Sequence, residues 1–262
     1  VDGTPSACPA RARPAFIPKE HGSWSLALEP LALGLLVAPS LAGAGLALAA
    51  LAGFFARRPI RSLVFPAGPG TRSQNLAVLV LLALCAAAGL GEAVMIGSLG
   101  SLWTLLLAAP LGGLFLFFDV RKDARAAAAE VAGAAAFSVL PAAFAMLGGW
   151  SSRPALALAA VMCARSVPTV IVVRYAVRLG KGQVLGPGLP VVASALGLVA
   201  MAALSFHSLV PWTVTALGFL LLVRAVALTV VKPAALVPIR LGFTEAVVGV
   251  VFVLGTALAY RL

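Results

Sequence analysis

Charge is scarce in this chain. Of 262 residues only 10% are Asp, Glu, Lys or Arg, where a soluble domain carries about 25%. Acid is scarcer still, with 8 carboxylates against 19 basic side chains, and histidine occurs twice. So little polar surface cannot cover a body of this size in water, which excludes a soluble globular protein and leaves a bilayer as the solvent. Cysteine is nearly absent: Cys8, Cys85 and Cys163 lie far apart, which excludes both a disulfide framework and a paired-cysteine metal site. Segments that alternate polar and apolar residues are missing too, which disfavours a membrane-spanning strand barrel.

What is abundant is apolar: 62% of the chain. A helix rises about 1.5 Å per residue and a hydrocarbon core is about 30 Å thick, so a span needs roughly 17–25 apolar residues. Nine runs qualify, from about Trp24 to Ala38, Leu41 to Ala56, Asn75 to Gly97, Leu102 to Phe118, Ala126 to Leu147, Pro154 to Val173, Gly188 to Phe206, Pro211 to Val231 and Leu241 to Tyr260. The first two are short, and their helices are expected to be kinked or extended at the ends. The expectation is an all-α, polytopic membrane helix bundle of about nine transmembrane helices. No linker rich in Gly, Ser or Pro divides it, so residues 19–262 read as a single transmembrane helical domain behind a short tail, residues 1–18.

The connections alternate in charge. Fifteen of the 19 basic residues fall in the N-terminal tail and after runs two, four, six and eight; the other loops and terminus hold only Arg153 and Arg261. By the positive-inside rule the N-terminus is cytoplasmic and the C-terminus outside, in a cytoplasmic (inner) membrane. The tail lacks the apolar stretch and cleavage site of a signal peptide, which fits a cytoplasmic segment. The net charge of +11 is then mostly topology. It suits anionic headgroups, and with no stacking platform or binding motif beside it, no nucleic acid is expected.

In such a chain each ionisable residue inside a run needs a reason, because it costs about 2.5–3.5 kcal/mol at a helix centre. Four groups stand out. The first is Glu20 and His21 before Trp24, with Glu29 further in. Glu29 is either a proton-handling carboxylate or the partner of an inward arginine; His21 is an acid or base, or an interfacial side chain bonded to nearby backbone. The second is Asp119, Asp123 and Glu130, four and seven residues apart, which a continuous helix would place on one face. Such oxygens suit Mg²⁺, or else they pair with Arg121, Lys122 and Arg125. The third is Arg165 with Arg174, Arg178 and Lys181, the last three spaced as one helical stripe. With Arg57, Arg58 and Arg61 opposite, the stripe suits a phosphate or diphosphate, or it is the positive-inside signal alone. Arg165 lies deeper and needs a partner, for which Glu29, Asp119 and Glu130 are the candidates. The fourth is Arg224 and Glu245, read as an ion pair between runs eight and nine. Glu92 and His207 read as solvated, and Phe115, Phe117 and Phe118 as lipid-facing or core.

The segments PKEHGSW followed by EP, FFARRP, DVRKDAR with the later Glu130, and ARSVPTVIVVR resemble the YwiC-like family of bacterial membrane proteins over nearly the whole chain. That resemblance implies a class and no reaction. The nine-span topology is also similar to UbiA-type prenyltransferases, which implies a cytoplasmic cavity for a prenyl diphosphate held through Mg²⁺ by Asp-rich loops after helices two and six. Here those loops read RRPIRSLVFP and RYAVRLGKG and hold no Asp; the one DxxxD, Asp119 to Asp123, follows run four. This leaves a rearranged single-metal site or a related fold that binds an anionic or isoprenoid lipid without catalysis. As a transferase the chain would use Asp119 and Asp123 for Mg²⁺. Arg57, Arg58, Arg165, Arg174, Arg178 and Lys181 would bind phosphate, with Glu20, His21 or Glu29 as acid or base. The rivals are a proton-coupled permease switched by Glu29 and Arg165, and an assembly partner of a membrane complex.

Overall fold

Inside a bilayer every backbone N–H and C=O must be satisfied within the protein, and the Ala-, Leu- and Val-rich runs do so by coiling. The computed structural model describes residues 21–64, 72–121, 126–183, 186–230 and 238–262; of residues 21–26, 119–120 and 238–239 only the backbone is described. The helices are α1 (His21–Val37), α2 (Leu41–Val64), α3 (Arg72–Ile96), α4 (Leu105–Val120), α5 (Ala127–Ser138), α6 (Leu140–Leu147), α7 (Ser152–Gly180), α8 (Gly188–Phe206), α9 (Trp212–Val230) and α10 (Pro238–Ala259). No strand occurs among the described residues.

Seven helical segments are long and apolar enough to cross a membrane: 41–64, 72–96, 127–147, 152–180, 188–206, 212–230 and 240–259. The apolar parts of α1 and α4 are shorter. The nine expected runs are helical over their described residues. The second is extended at its end, as expected of a short run: α2 continues past Ala56 through Arg57, Arg58 and Pro59 to Val64, because its helix does not stop where its apolar stretch does. The fifth run is not one helix. Pro141, in the first turn of α6, has no N–H to donate, and the chain breaks at Val139 between α5 and α6.

Close approach is set by glycine. A Cβ on Gly45 of α2 would stand 2.6 Å from the Gly89 carbonyl of α3, and Gly89 packs back on the Gly45 carbonyl and on Ala49. Gly45/Ala49 and Gly89/Ala93 thus form facing small-xxx-small pairs, which seat α3 tightly on α2. The Phe144 ring of α6 rests against Gly34 of α1 and is fully buried.

Neighbouring helices share one interior. α10 packs on α1, α1 on α5 and α6, these on α7, α7 on α8 and α9, and α9 on α10. Six spans, counting α5 and α6 as one, so close a ring. The α2–α3 hairpin sits outside it against α1 and α6, and α4 lies on α5. Leu33, Leu158, Met162 and Val253 fill one side of the interior, and Val161, Met201, Val214 and Phe252 another. Large apolar side chains such as Leu84, Met95, Leu196 and Phe206 are exposed on the rim, where lipid covers them.

Candidate functional site

Glu29 is the central residue of the 17-residue α1, about 12 Å from either end by helical rise. Arg165 lies near the middle of α7 and is 1% exposed. Their side chains meet across the ring: Arg165 Nη2 lies 3.0 Å from Glu29 Oε2 and 3.1 Å from Oε1. Of the three carboxylates proposed as partners for Arg165, the fold selects Glu29. Arg165 Nη1 also donates to Thr169 Oγ1 at 2.5 Å, while the Thr169 hydroxyl donates to the Arg165 carbonyl at 2.8 Å. The i, i+4 spacing on α7 puts the hydroxyl beside the guanidinium. The Phe252 ring of α10 lies 5.7 Å from the guanidinium carbon, at the outer range of a cation–π contact.

Space for this pair comes from Gly249 of α10. A Cβ there would collide with Glu29 Oε1 and stand 3.1 Å from Arg165 Nη2. One turn earlier on the same face, Glu245 pairs with Arg224 of α9. The two ion pairs are thus offset along α10 by four residues, about 6 Å. Arg224 also lies within electrostatic reach of both Glu29 and Arg165. Four charges from four helices form one buried cluster, neutral when all are ionised. The sequence reading of an Arg224–Glu245 pair holds.

Proline stands beside both members of the central pair. Pro30 follows Glu29 in α1, and Pro168 lies three residues after Arg165 in α7. Each lacks the N–H that would bond the carbonyl four residues back. For Pro168 that carbonyl belongs to Ala164, against which Gly197 of α8 packs at 2.6 Å from its would-be Cβ. Ala164, Arg165, Pro168, Thr169, Ser194, Gly197, Met201, Gly218 and Arg224 line a small cavity at this break. Its free volume of about 10 Å³ admits about one water molecule. The buried Nε atoms of Arg165 and Arg224, and Glu245 Oε2, have no hydrogen-bond partner.

The other expected site residues are dispersed. Arg174 of α7 is paired at 2.9 Å with Glu130 of α5, both partly exposed. Arg178 is exposed and donates through Nε to Gln183 at 2.7 Å; Lys181 caps the helix and is exposed. The expected stripe therefore exists as a spacing, with its first member held by a carboxylate. Arg57 and Arg58 are half-buried at one end of α2, and the Arg57 guanidinium stacks on Phe115 of α4 at 4.3 Å. That ring belongs to α4, and α2 itself packs chiefly on α3. Asp119 and Glu130 do not share one helical face. α4 ends at Val120, Arg121 is in a turn and Ala126 in a bend, so Asp119 and Glu130 belong to different helices. Glu20, Asp123 and the side chains of His21 and Asp119 lie outside the described residues. Among the described residues no group of three His, Cys, Asp or Glu side chains could hold a metal. Glu92 and His207 are exposed, as expected.

Sequence reasoning overlooked Gly249 and Ser194, and did not join Arg224 to the central pair. Gly249 carried a readable signal, since it lies four residues after Glu245. The Arg165–Arg224 proximity spans 59 positions and only packing reveals it.

Residues 17–145 match the family described as YwiC-like protein. The match covers α1 to nearly the end of α6, and so includes Glu29 and Glu130 while Arg165, Arg224 and Glu245 lie beyond it. No curated protein and no solved structure matches the chain.

Proposed function

Taking the chain as a YwiC-like, multi-pass membrane protein, we propose that it is a proton-coupled permease whose Glu29–Arg165 pair is the switch. The observation that carries the reading is the pair itself: a carboxylate and a guanidinium from separate helices, buried at mid-span, each next to a proline. An isolated ion in hydrocarbon is expensive, so the two charges hold α1 and α7 together while both are ionised. Protonation of Glu29 removes its charge and releases Arg165. The proline breaks give α1 and α7 places to bend when the contact opens. In this reading the basic loop face is cytoplasmic, the N-terminus is inside and the C-terminus outside, and the membrane is the inner one.

The test is proton flux into liposomes containing the protein, followed with an internal pH dye under an imposed gradient. The native chain carries protons faster than empty liposomes, and Glu29→Gln, reconstituted to the same density, falls to the empty-liposome rate. Equal flux in native and variant samples would reject the switch.

A second reading keeps the phosphorylated ligand, such as a prenyl diphosphate, at the basic face. It is favoured by Arg57, Arg58, Arg174, Arg178 and Lys181, which all lie at the basic ends of α2 and α7. Asp119 and Asp123 would hold Mg²⁺ beside it, without Glu130, which Arg174 engages. A thermal-shift titration with a polyprenyl diphosphate, with and without Mg²⁺, separates the readings. Magnesium-dependent stabilisation lost in Asp119→Ala/Asp123→Ala supports a UbiA-like, prenyltransferase-like site; its absence leaves the permease.

A further inference from the structure

The charged cluster has an unused side. Glu29 engages Nη2 of Arg165, and Thr169 engages Nη1, but Nε of Arg165 is buried without an acceptor, as is Nε of Arg224. Both arginines line the cavity at the Pro168 break, and no carboxylate does. The two hydroxyls of the lining are already donating to backbone carbonyls: Thr169 to Arg165, and Ser194 to Pro190 at 2.9 Å. The carbonyl of Ala164 is covered by Gly197. The two arginines of the lining thus each keep a buried, unpartnered Nε donor, beside room for one water-sized occupant.

We propose that this cavity between Arg165 and Arg224 binds one small monovalent anion, chloride being the simplest, together with one proton on Glu29. The proposal rests on the permease reading and names the co-substrate.

Charge balance links the two ions. With Arg165, Arg224, Glu29 and Glu245 ionised the cluster is neutral, and a lone anion would leave it negative in a low-dielectric interior. A lone proton would leave it positive. Taken up together they keep it neutral, so each favours the other by the same factor. Glu29 is the carboxylate concerned because it is faced by both arginines that line the cavity, Arg165 from α7 and Arg224 from α9. α10 brings Gly249 against Glu29, and its Glu245 is engaged with Arg224. α8 contributes no charged residue to the lining, only Ser194, Gly197, Leu198 and Met201. From α5, Glu130 is turned to Arg174, and the described Arg57 of α2 stacks on Phe115. The space, about that of one water molecule, is too small for sulfate or phosphate.

The experiment uses the full chain in chloride-free detergent buffer with gluconate as counter-ion. Chloride is titrated calorimetrically at stepped pH, and proton uptake is followed in a weakly buffered sample. The expected result is saturable binding with about one proton taken up per chloride. The dissociation constant then rises about tenfold per pH unit once Glu29 is ionised, and sulfate shows no binding. Ser194→Leu fills the cavity and leaves all four charges in place, so it loses chloride binding. Glu29→Gln, if folded, binds chloride with neither proton uptake nor pH dependence. No saturable binding by the native protein, binding without proton uptake, or full binding by Ser194→Leu would each overturn the proposal. Proton flux that persists without chloride dependence overturns the anion site alone; chloride binding without any proton flux overturns the permease reading alone.

Discussion

Glu29 and Arg165 illustrate how one residue's environment is decided by another far away in sequence. Each is the other's ion-pair partner at mid-span, so removing one leaves a buried charge uncompensated. Glu29→Gln or Arg165→Met alone is expected to lower unfolding free energy by about 3–5 kcal/mol. The double variant, which removes both of these charges and leaves the Arg224–Glu245 pair, recovers most of that loss. Denaturant unfolding of the four proteins in one detergent measures the coupling directly, and additive single effects would contradict the pair. Gly249 serves the same pair. Ala at 249 puts a methyl group where Glu29 Oε1 lies, so Gly249→Ala should destabilise by about 1–3 kcal/mol. That effect should shrink in a Glu29→Ala background, which a second unfolding series checks. Much of this was legible in advance: an acid and a base buried in separate apolar runs demand each other, and the choice of Glu29 came from three candidates. Gly249 was legible only in part: its place four residues after Glu245 is a readable spacing, but only packing shows that it faces Glu29.

At the scale of elements, helices were readable and their interruptions were not. Length and apolarity place nine spans, but a continuous apolar run does not say where backbone hydrogen bonds stop. Pro141 marked the α5–α6 break, yet the run from Ala126 to Leu147 has no polar residue at Val139 to announce it. The basic end of α2 shows the converse, since helix outlasts apolarity once Arg57, Arg58 and Arg61 can reach the headgroups. Asp119 and Glu130 shared a helical spacing that the chain does not honour, because a turn at Arg121 intervenes. Two substitutions test the elements themselves. Pro168→Ala restores an N–H opposite the Ala164 carbonyl and removes the break in α7. It is expected to raise stability by about 1–3 kcal/mol and to slow proton flux, read by unfolding and by the liposome assay together. Gly89→Leu forces α3 away from α2 across the whole Gly45–Gly89 contact. Cross-linking between cysteines placed at 42 and 97, where the Ala42 Cβ lies 3.4 Å from the would-be Cβ of Gly97, should then fail, while the six-span ring and its ion pairs persist.

The whole molecule is a closed ring of spans around a neutral set of four charges, with a hairpin and α4 outside. In the proposed topology the basic loops share the cytoplasmic side of the membrane. In a chain freed of its native cysteines, a cysteine at 153 should react with an impermeant reagent outside intact cells, and one at 181 only after lysis. The reverse pattern would invert the topology. The ring also explains why the phosphate-site residues looked more coherent in sequence than in space. Arg174, Arg178 and Lys181 lie at its end, whereas Arg165, in the same sequence motif, is drawn into its centre by Glu29. The permease reading requires that Glu29 exchange a proton while inside the membrane. Infrared difference spectroscopy of the reconstituted protein, recorded as the pH is lowered, measures that event. The expected result is a protonated-carboxyl band that appears on acidification in the native chain and is missing in folded Glu29→Gln. An identical set of bands in both proteins would show that Glu29 keeps one protonation state throughout, and would contradict the switch.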